Sequence, residues 1–154
     1  MSGQSQGTQL GAERSLPFAE LVWALNGLER RLTAGLTVAL SEENATLDQW
    51  RILEAIGRGD SPTMGELAEA TGMPNASLSR TVDSLEDSAS AFRLPTTTDR
   101  RRITVQLSDR GAERLVRIRA IVAAWERATE LRLGPDAAAA LLDAAGSAAR
   151  ALDA

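Results

Sequence analysis

The sequence contains no cysteine and no histidine, and all 17 of its basic residues are arginine. Without cysteine, disulfides, thiolate metal sites and thiol-based redox sensing are excluded. Without histidine, the chain lacks the side chain most often used as a general base and as a metal ligand. Without lysine, a Schiff-base nucleophile is impossible. These absences argue against an enzyme, and we predict no catalytic residue, no cofactor and no metal site.

Carboxylates alone could still support a hydrolase, which is the enzymatic alternative. The candidate acidic pairs are Glu42/Glu43 and Glu66/Glu69. Their positions are typical of a loop and of a helix cap, and no third group is predicted to converge on them. We therefore favour a binding protein over an enzyme.

The composition fits one small globular domain with an added element for self-association. The chain has 154 residues, 44% of them hydrophobic, and a net charge of −4. A negative net charge argues against a polyanionic partner, but Arg100, Arg101 and Arg102 form a compact basic cluster. No apolar run is long enough to span a bilayer, and residues 1–15 are polar without the features of a signal peptide. We expect a disordered tail there and a cytoplasmic protein.

Apolar residues at steps of three and four predict a series of helices. A long helix runs from Leu16 to about Leu40, and a second from Leu47 to about Arg58. A two-turn helix follows Thr63, with Glu66 completing a capping box and Gly72 ending the helix. Further helices are predicted from Pro74 or Asn75 to about Asp87, from Ser108 to Gly134, and from Asp136 to about Leu152.

The two helices around Gly72 fit a helix-turn-helix. Ala68 is small where the helices cross, Gly72 tolerates a positive φ in the turn, and Leu78 faces back into the angle. The outward face of the second helix carries short polar groups and an arginine, which suits entry into the major groove of DNA. The competing interpretation is an ordinary solvated helix face. The predicted DNA contacts are Asn75, Ser77, Ser79, Arg80 and Thr81.

Two short extended segments after this helix predict a β-hairpin. Ser90 to Leu94 is extended and ends at Pro95, and Ile103–Leu107 alternates apolar and polar residues. An arginine on the tip of such a hairpin can enter the narrow minor groove, although a solvated charged turn is the competing interpretation. The predicted contacts from the tip are Asp99, Arg100, Arg101 and Arg102.

The predicted fold is mainly α with a small β-hairpin wing. In this fold a winged helix-turn-helix is flanked by N- and C-terminal dimerisation helices, because long helices at chain ends often pair with a second copy. The element order of a helix-turn-helix followed directly by a hairpin carries this prediction.

Several motifs, taken in order, resemble the MarR family of winged-helix regulators. Ser77-x-x-Arg80-x-Val82-Asp83-x-Leu85-Glu86 is similar to the end of that family's recognition helix, and Pro95 followed by Asp99-Arg100-Arg101 is similar to its wing. Leu107-Ser108-x-x-Gly111 is similar to the step into the next helix, and Leu47-x-x-Trp50-x-Ile52-Leu53 to the family's second helix. The resemblance extends from about Leu16 to the C-terminus.

The resemblance implies a homodimer that binds a palindromic operator in double-stranded DNA through two recognition helices and two wings. It implies that Arg101 enters the minor groove with Asp99 orienting it, and that the protein is a repressor released by a small aromatic or apolar ligand. The implied organisation is a tail at 1–15, a dimerisation helix at 16–46, the winged helix-turn-helix at 47–108 and dimerisation helices at 109–154. The alternative is a winged-helix protein-interaction module that has lost specific DNA binding, which the negative net charge favours.

The entry to the wing departs from the family pattern. Ala89 stands where the family usually has a glycine. If a positive φ is needed there, the alanine costs about 1 kcal/mol. Ser90 and Ala91 follow in place of large apolar residues, so we expect them to anchor the first strand weakly.

Three tryptophans fall on helices that border the effector crevice in the resembling family. One hypothesis is that they line a pocket for a flat ligand, with Arg51, or else Arg30 or Arg31, binding its carboxylate. The competing interpretation is that the rings fill the core where helices cross, which we expect for at least two of them. The tryptophans are Trp23, Trp50 and Trp125.

Overall fold

Six α-helices and one antiparallel hairpin make up the described part of the chain. The computed structural model describes residues 17–95 and 103–153. The elements are α1 (Phe18–Leu40), a 3-10 turn (Ser41–Glu43), α2 (Leu47–Arg58), α3 (Met64–Thr71), α4 (Asn75–Asp87), β1 (Ala91–Pro95), β2 (Ile103–Leu107), α5 (Asp109–Leu133) and α6 (Pro135–Leu152). The predicted mainly α fold with a small hairpin is confirmed. The chain divides after Leu32 into two compact units.

The first unit contains the N-terminal part of α1. Its apolar side chains follow the helical spacing predicted from the sequence, yet all of the large ones near the start of the helix are exposed. Trp23 is 82% exposed. The other exposed apolar residues are Phe18, Leu21, Val22 and Leu25.

The second unit has a core that the helix-turn-helix, the hairpin and α5 share. The side chains in this core are almost completely removed from water, which is the main source of folding free energy. They come from every α-helix and both strands between the end of α1 and the middle of α5. The buried residues include Leu40, Ile52, Leu53, Leu67, Leu78, Val82, Leu85, Val105, Leu115, Ile118 and Val122.

The helix-turn-helix has the local geometry that the sequence predicted. The Thr63 hydroxyl accepts from the Glu66 N–H at 3.3 Å, and the Glu66 carboxylate accepts from the Thr63 N–H at 2.7 Å. Gly72 ends α3 with φ +65°, a conformation that glycine adopts without a steric penalty. Leu78 is fully buried, so its side chain fixes the angle between α3 and α4.

The hairpin is joined to the segment before α3 as well as closed on itself. β1 and β2 pair from Ala91↔Leu107 to Pro95↔Ile103, so β1 begins one residue later than predicted. The Val105 N–H also donates to the Pro62 carbonyl at 2.9 Å. This contact between β2 and the segment before α3 was not predicted. The segment is too short to show the alternating pattern by which a strand is predicted.

The C-terminal helices follow the predicted boundaries closely. The Ser108 hydroxyl accepts from the Gly111 N–H at 2.9 Å and caps α5, and Pro135 occupies the first turn of α6. The apolar spacing along α5 ends in an exposed residue, since Leu131 is 83% exposed. Among the described helices, none combines the length and the apolar character that a membrane span requires.

Ala89, at the entry to the hairpin, adopts a backbone conformation that favours glycine. Ala89 has φ +53°. Its N–H donates to the Glu86 carbonyl at 2.8 Å, and the Ser90 N–H donates to the Leu85 carbonyl at 2.8 Å. These two bonds form a Schellman motif that ends α4, with alanine in the left-handed position.

The expectation that Ser90 and Ala91 anchor β1 weakly is wrong. Both are buried, with exposed fractions of 1% and 4%. Ser90 is held through its backbone and its hydroxyl, which bond to Ser108 and Arg114. Hydrogen bonds therefore anchor the start of β1, where the sequence has no large apolar side chain.

Ala89→Gly is expected to stabilise the protein by about 1 kcal/mol, because glycine removes the steric cost of the left-handed conformation. Urea unfolding followed by circular dichroism measures this gain. Ala128→Gly, an exposed change within α5, is the matched control and should destabilise by about 1 kcal/mol. Equal losses in both variants would contradict the strain assigned to Ala89.

Candidate nucleic-acid interface

The N-terminus of α4 is open. Pro74 precedes the helix and provides no side-chain cap. Its carbonyl accepts from the N–H groups of Ser77 and Leu78, at 3.0 and 2.9 Å. The N–H groups of Asn75 and Ala76 have no acceptor among the described residues. An uncapped helix N-terminus with free amides attracts anions such as phosphate.

The outer face of α4 contains one unpaired cation. Arg80 is exposed, and its guanidinium has no ion pair or hydrogen bond within residues 17–95 and 103–153. Asn75 is exposed on the same helix, and the Ser79 side chain is half-buried. These side chains can therefore bind an external partner without disturbing the fold.

The other predicted contacts on α4 are less available. The Thr81 hydroxyl donates to the Ser77 carbonyl at 2.9 Å, and both residues are half-buried. A hydroxyl committed to its own helix retains only its acceptor lone pairs for a partner. Arg80 and Asn75 thus offer the strongest donors of the five residues.

Arg93 on β1 joins the hairpin to α4. Its guanidinium donates to Asp83 at 2.7 Å, to the Glu86 carboxylate, and to the Ser79 carbonyl at 3.4 Å. The backbone N–H of Arg93 donates to the same Glu86 carboxylate at 2.9 Å. This cluster, the Arg93 clamp, fixes the hairpin relative to α4 and pairs one positive charge with two acids of the helix.

Arg93→Met is expected to lower the free energy of unfolding by about 1–2 kcal/mol, because it removes three hydrogen bonds and leaves the half-buried Glu86 carboxylate with less compensation. Arg58→Met is the control, since Arg58 is 75% exposed in its pair with Glu54. That change should stay within about 0.5 kcal/mol. Chemical unfolding measures the free energy of unfolding of both variants. Equal values would contradict a stabilising role for the Arg93 clamp.

The predicted tip contacts Asp99, Arg100, Arg101 and Arg102 lie outside the described residues. The structure does give the two residues that flank this segment. Pro95 pairs with Ile103 at the end of the hairpin farthest from Ala91. The four tip residues remain predicted contacts.

Trp50 and Arg51 line a cavity of about 590 Å³ between α2 and α3. Glu54, Arg58 and Glu66 line the same cavity. Burial alone would raise the pKa of Glu54, but hydrogen bonds and charge from Arg119 and Arg58 outweigh it and lower the pKa below its usual value. Glu54 is therefore ionised at neutral pH, and the cavity carries charges of both signs.

Trp125 lines a different cavity, of about 520 Å³, between the end of α1 and α5. Gly35 lies against the indole, since a Cβ built there would be 2.9 Å from Nε1 of Trp125. Val38 and Ile121 make this cavity more apolar than the first. The described cavities do not bring Trp50 and Trp125 together, and Trp23 is exposed in the first unit.

Several arginines with structural contacts were not singled out from the sequence, and Arg93 and Arg114 are two of them. Arg93 meets acids seven and ten residues earlier, and Arg114 meets carbonyls about 70 residues earlier. For Arg93, the only signal in the sequence was an arginine within a predicted strand. Within the described residues no group of three or more acidic side chains is placed to hold a metal ion.

Comparisons with known proteins found one family model and several solved structures that are similar to this chain. Residues 44–102 match the family model described as MarR family. No curated protein matches the chain. The transcriptional repressor CouR bound to a 23-mer DNA duplex is similar over 88% of this chain and 99% of its own, with 24% identity and a TM-score of 0.79.

Two further solved structures have the same fold. A mutant MarR from E. coli complexed with operator DNA is 22% identical over 87% of this chain and 99% of its own, with a TM-score of 0.77. BpsR of Bordetella bronchiseptica, whose DNA binding is regulated by 6-hydroxynicotinic acid, is 16% identical over 84% and 98%, also with a TM-score of 0.77. At these identities, the likeness shows the winged-helix fold.

Proposed function

We propose that this chain, whose residues 44–102 match the family model described as MarR family, is a sequence-specific DNA-binding transcriptional regulator of that family. The observation that carries this proposal is the outer face of α4. Its N-terminal amides are free, and Arg80 is an exposed cation with no partner among the described residues. A helix of 13 residues with this face suits the major groove.

The local charge on this face supports DNA binding despite the net charge of −4. The acids of α4 lie in its C-terminal half, and the Arg93 clamp offsets one of the two negative charges of Asp83 and Glu86. Repulsion between phosphates and these carboxylates is therefore reduced where the helix approaches DNA. The N-terminal half, which holds Asn75 and Arg80, contains no acid.

The hairpin tip supplies the second contact in this proposal. Arg101 enters the minor groove, Asp99 holds its guanidinium, and Arg100 and Arg102 add positive charge beside the phosphates. The Arg93 clamp supports this role, because it fixes β1 relative to α4.

We propose that the protein acts as a homodimer on a palindromic operator. Large apolar side chains are exposed near both ends of the described chain, which a second copy would remove from water. In this organisation, residues 16–46 and 109–154 form the dimer interface and 47–108 bind DNA. The exposed residues are Phe18, Leu21, Val22, Trp23, Leu131, Leu133, Leu142 and Leu152.

Repression relieved by a small aromatic or apolar ligand completes the proposal. BpsR is a protein of this fold whose DNA binding a small aromatic acid regulates. In this chain, the cavity beside Trp125 is the more apolar candidate, and the cavity beside Trp50 and Arg51 is the more polar one. Quenching of tryptophan fluorescence by candidate aromatic ligands tests both.

A gel-shift titration against the DNA upstream of this protein's own gene tests the proposed function. It is carried out at two salt concentrations with unrelated DNA as competitor. Tight binding that resists the competitor and weakens as salt rises is expected of a specific regulator. Binding that disappears with competitor, or no binding, would overturn the proposal in favour of a protein-interaction module.

A further inference from the structure

A third cavity, of about 350 Å³, lies where the start of α5 meets the root of the hairpin. Three arginines of α5 line it, and their spacing of four and three residues places them on one helix face. Glu43 is the only acid among the lining residues, so the lining carries two net positive charges. The arginines are Arg110, Arg114 and Arg117, and we call them the arginine triad.

Arg114 is bound entirely by neutral acceptors. Its guanidinium donates to the Ser90 hydroxyl at 3.1 Å, to the carbonyls of Glu43 and Asn44 at 3.2 and 3.1 Å, and to the Gln49 side chain at 3.5 Å. These bonds all use the two terminal nitrogens. The Nε–H and one further N–H have no acceptor among the described residues.

The other two members of the triad also have donors to spare. Arg117 uses only its Nε, which donates to Glu43 at 2.7 Å. Arg110 is exposed and has no partner within the described ranges. Burial lowers the pKa of Arg114, the charge of Glu43 opposes this, and the charges of Arg117 and Arg110 lower it further. The triad is thus a group of mutually repelling cations that one anion would relieve.

We propose that the arginine triad binds a small doubly charged oxyanion, either a phosphate or a dicarboxylate. Guanidinium groups match the paired oxygens of both, and two negative charges balance the lining. The hydroxyls of Ser88 and Ser90 do not add donors, because Ser88 donates to the Leu85 carbonyl and Ser90 bonds to Ser88. Recognition therefore rests on the arginines.

This site is separate from the proposed DNA-binding face. The cavity is lined by Ser88, which follows the last residue of α4, whereas the free amides are at Asn75. At a rise of 1.5 Å per residue, the two ends of this helix are about 20 Å apart. A small anion at the triad leaves the N-terminal half of α4 open.

Isothermal titration of the full chain with inorganic phosphate tests the proposal, with ionic strength held constant by sodium chloride. Saturable binding of one phosphate per chain is expected, weakened about tenfold or more in Arg110→Gln. Arg127→Gln, an exposed charge change further along α5, is the matched control and should bind as the wild type does. Because Arg110 has no partner in the described fold, its variant is expected to fold normally.

Succinate, titrated in the same way, distinguishes the two sources. Tighter binding of succinate than of phosphate would assign a dicarboxylate, and the reverse order a phosphate. Absence of saturable binding of both, or equal binding by Arg110→Gln, would overturn the site. A loss of DNA affinity by Arg110→Gln in phosphate-free buffer would also overturn it, because the triad would then be a DNA-backbone contact.

Discussion

Gly111→Ala is expected to destabilise the protein by about 3–5 kcal/mol, which is among the largest effects of a single added methyl group. A Cβ at this position would lie 1.7 Å from the Ser90 carbonyl oxygen and 2.7 Å from its carbonyl carbon. Both are backbone atoms, so no side-chain rotation can relieve the overlap. Either α5 or the root of the hairpin must move.

The surrounding hydrogen bonds resist that movement. The Ser90 carbonyl also accepts from the Ser108 N–H at 3.2 Å, and the Ser108 hydroxyl donates to the Ala89 carbonyl at 2.6 Å. Arg114 holds the Ser90 hydroxyl from the next turn of α5. Displacing the junction therefore breaks several bonds at a buried site and leaves polar groups without partners.

Gly65→Ala is the matched control for Gly111→Ala. A Cβ at Gly65 meets only the Thr63 hydroxyl, at 4.0 Å, and Gly65 lies within α3. Alanine should therefore stabilise this helix by up to about 1 kcal/mol. Thermal unfolding followed by circular dichroism is expected to shift in opposite directions for the two variants. A melting temperature for Gly111→Ala equal to that of the wild type would contradict the close approach.

Arg80→Ala is expected to weaken operator binding by about 1–3 kcal/mol, or roughly 5- to 150-fold, without loss of stability. The fold does not use the Arg80 side chain, which has no partner among the described residues. Its removal therefore subtracts only a contact with DNA. Fluorescence anisotropy with a labelled operator measures the loss, and Arg127→Ala serves as the control of equal charge change.

The pattern of the loss identifies the type of contact. A weaker preference for the operator over related sequences would mean that Arg80 contacts a base, whereas an equal loss on all sequences would mean that it contacts phosphate. Unchanged affinity in Arg80→Ala would remove the outer face of α4 from the interface. The proposed function would then lose the observation on which it rests.

Local signals in the sequence predicted most of the fold. The periodicity of apolar residues fixed α2 and α4 within a residue of their ends, and Thr63 with Glu66 formed the predicted capping box. Such signals succeed because caps and helix faces depend on residues three or four apart. The capping box of Thr46 and Gln49 at the start of α2 has the same form but was not predicted.

Long-range contacts were not predictable in the same way. The Arg93 clamp and the bonds of Arg114 depend on how a strand and a helix pack against residues distant in the chain. Ser90 is an example. Its small polar side chain predicted that it would anchor β1 weakly, yet its backbone and hydroxyl are hydrogen-bonded to other parts of the chain. The outer face of α4 was predictable, since exposure at helical spacing follows from the buried positions Leu78, Val82 and Leu85.

Anisotropy titrations of the wild-type protein on the operator and on a shuffled sequence of the same length, over a range of salt, test the central claim most directly. We predict that binding to the operator is about a thousandfold tighter, or more, than binding to the shuffled sequence. We also predict that affinity falls steeply, by roughly 10³- to 10⁵-fold between about 50 and 200 mM salt if about 6–10 phosphates are contacted. Equal affinity for the two sequences, or affinity independent of salt, would contradict a specific DNA-binding regulator.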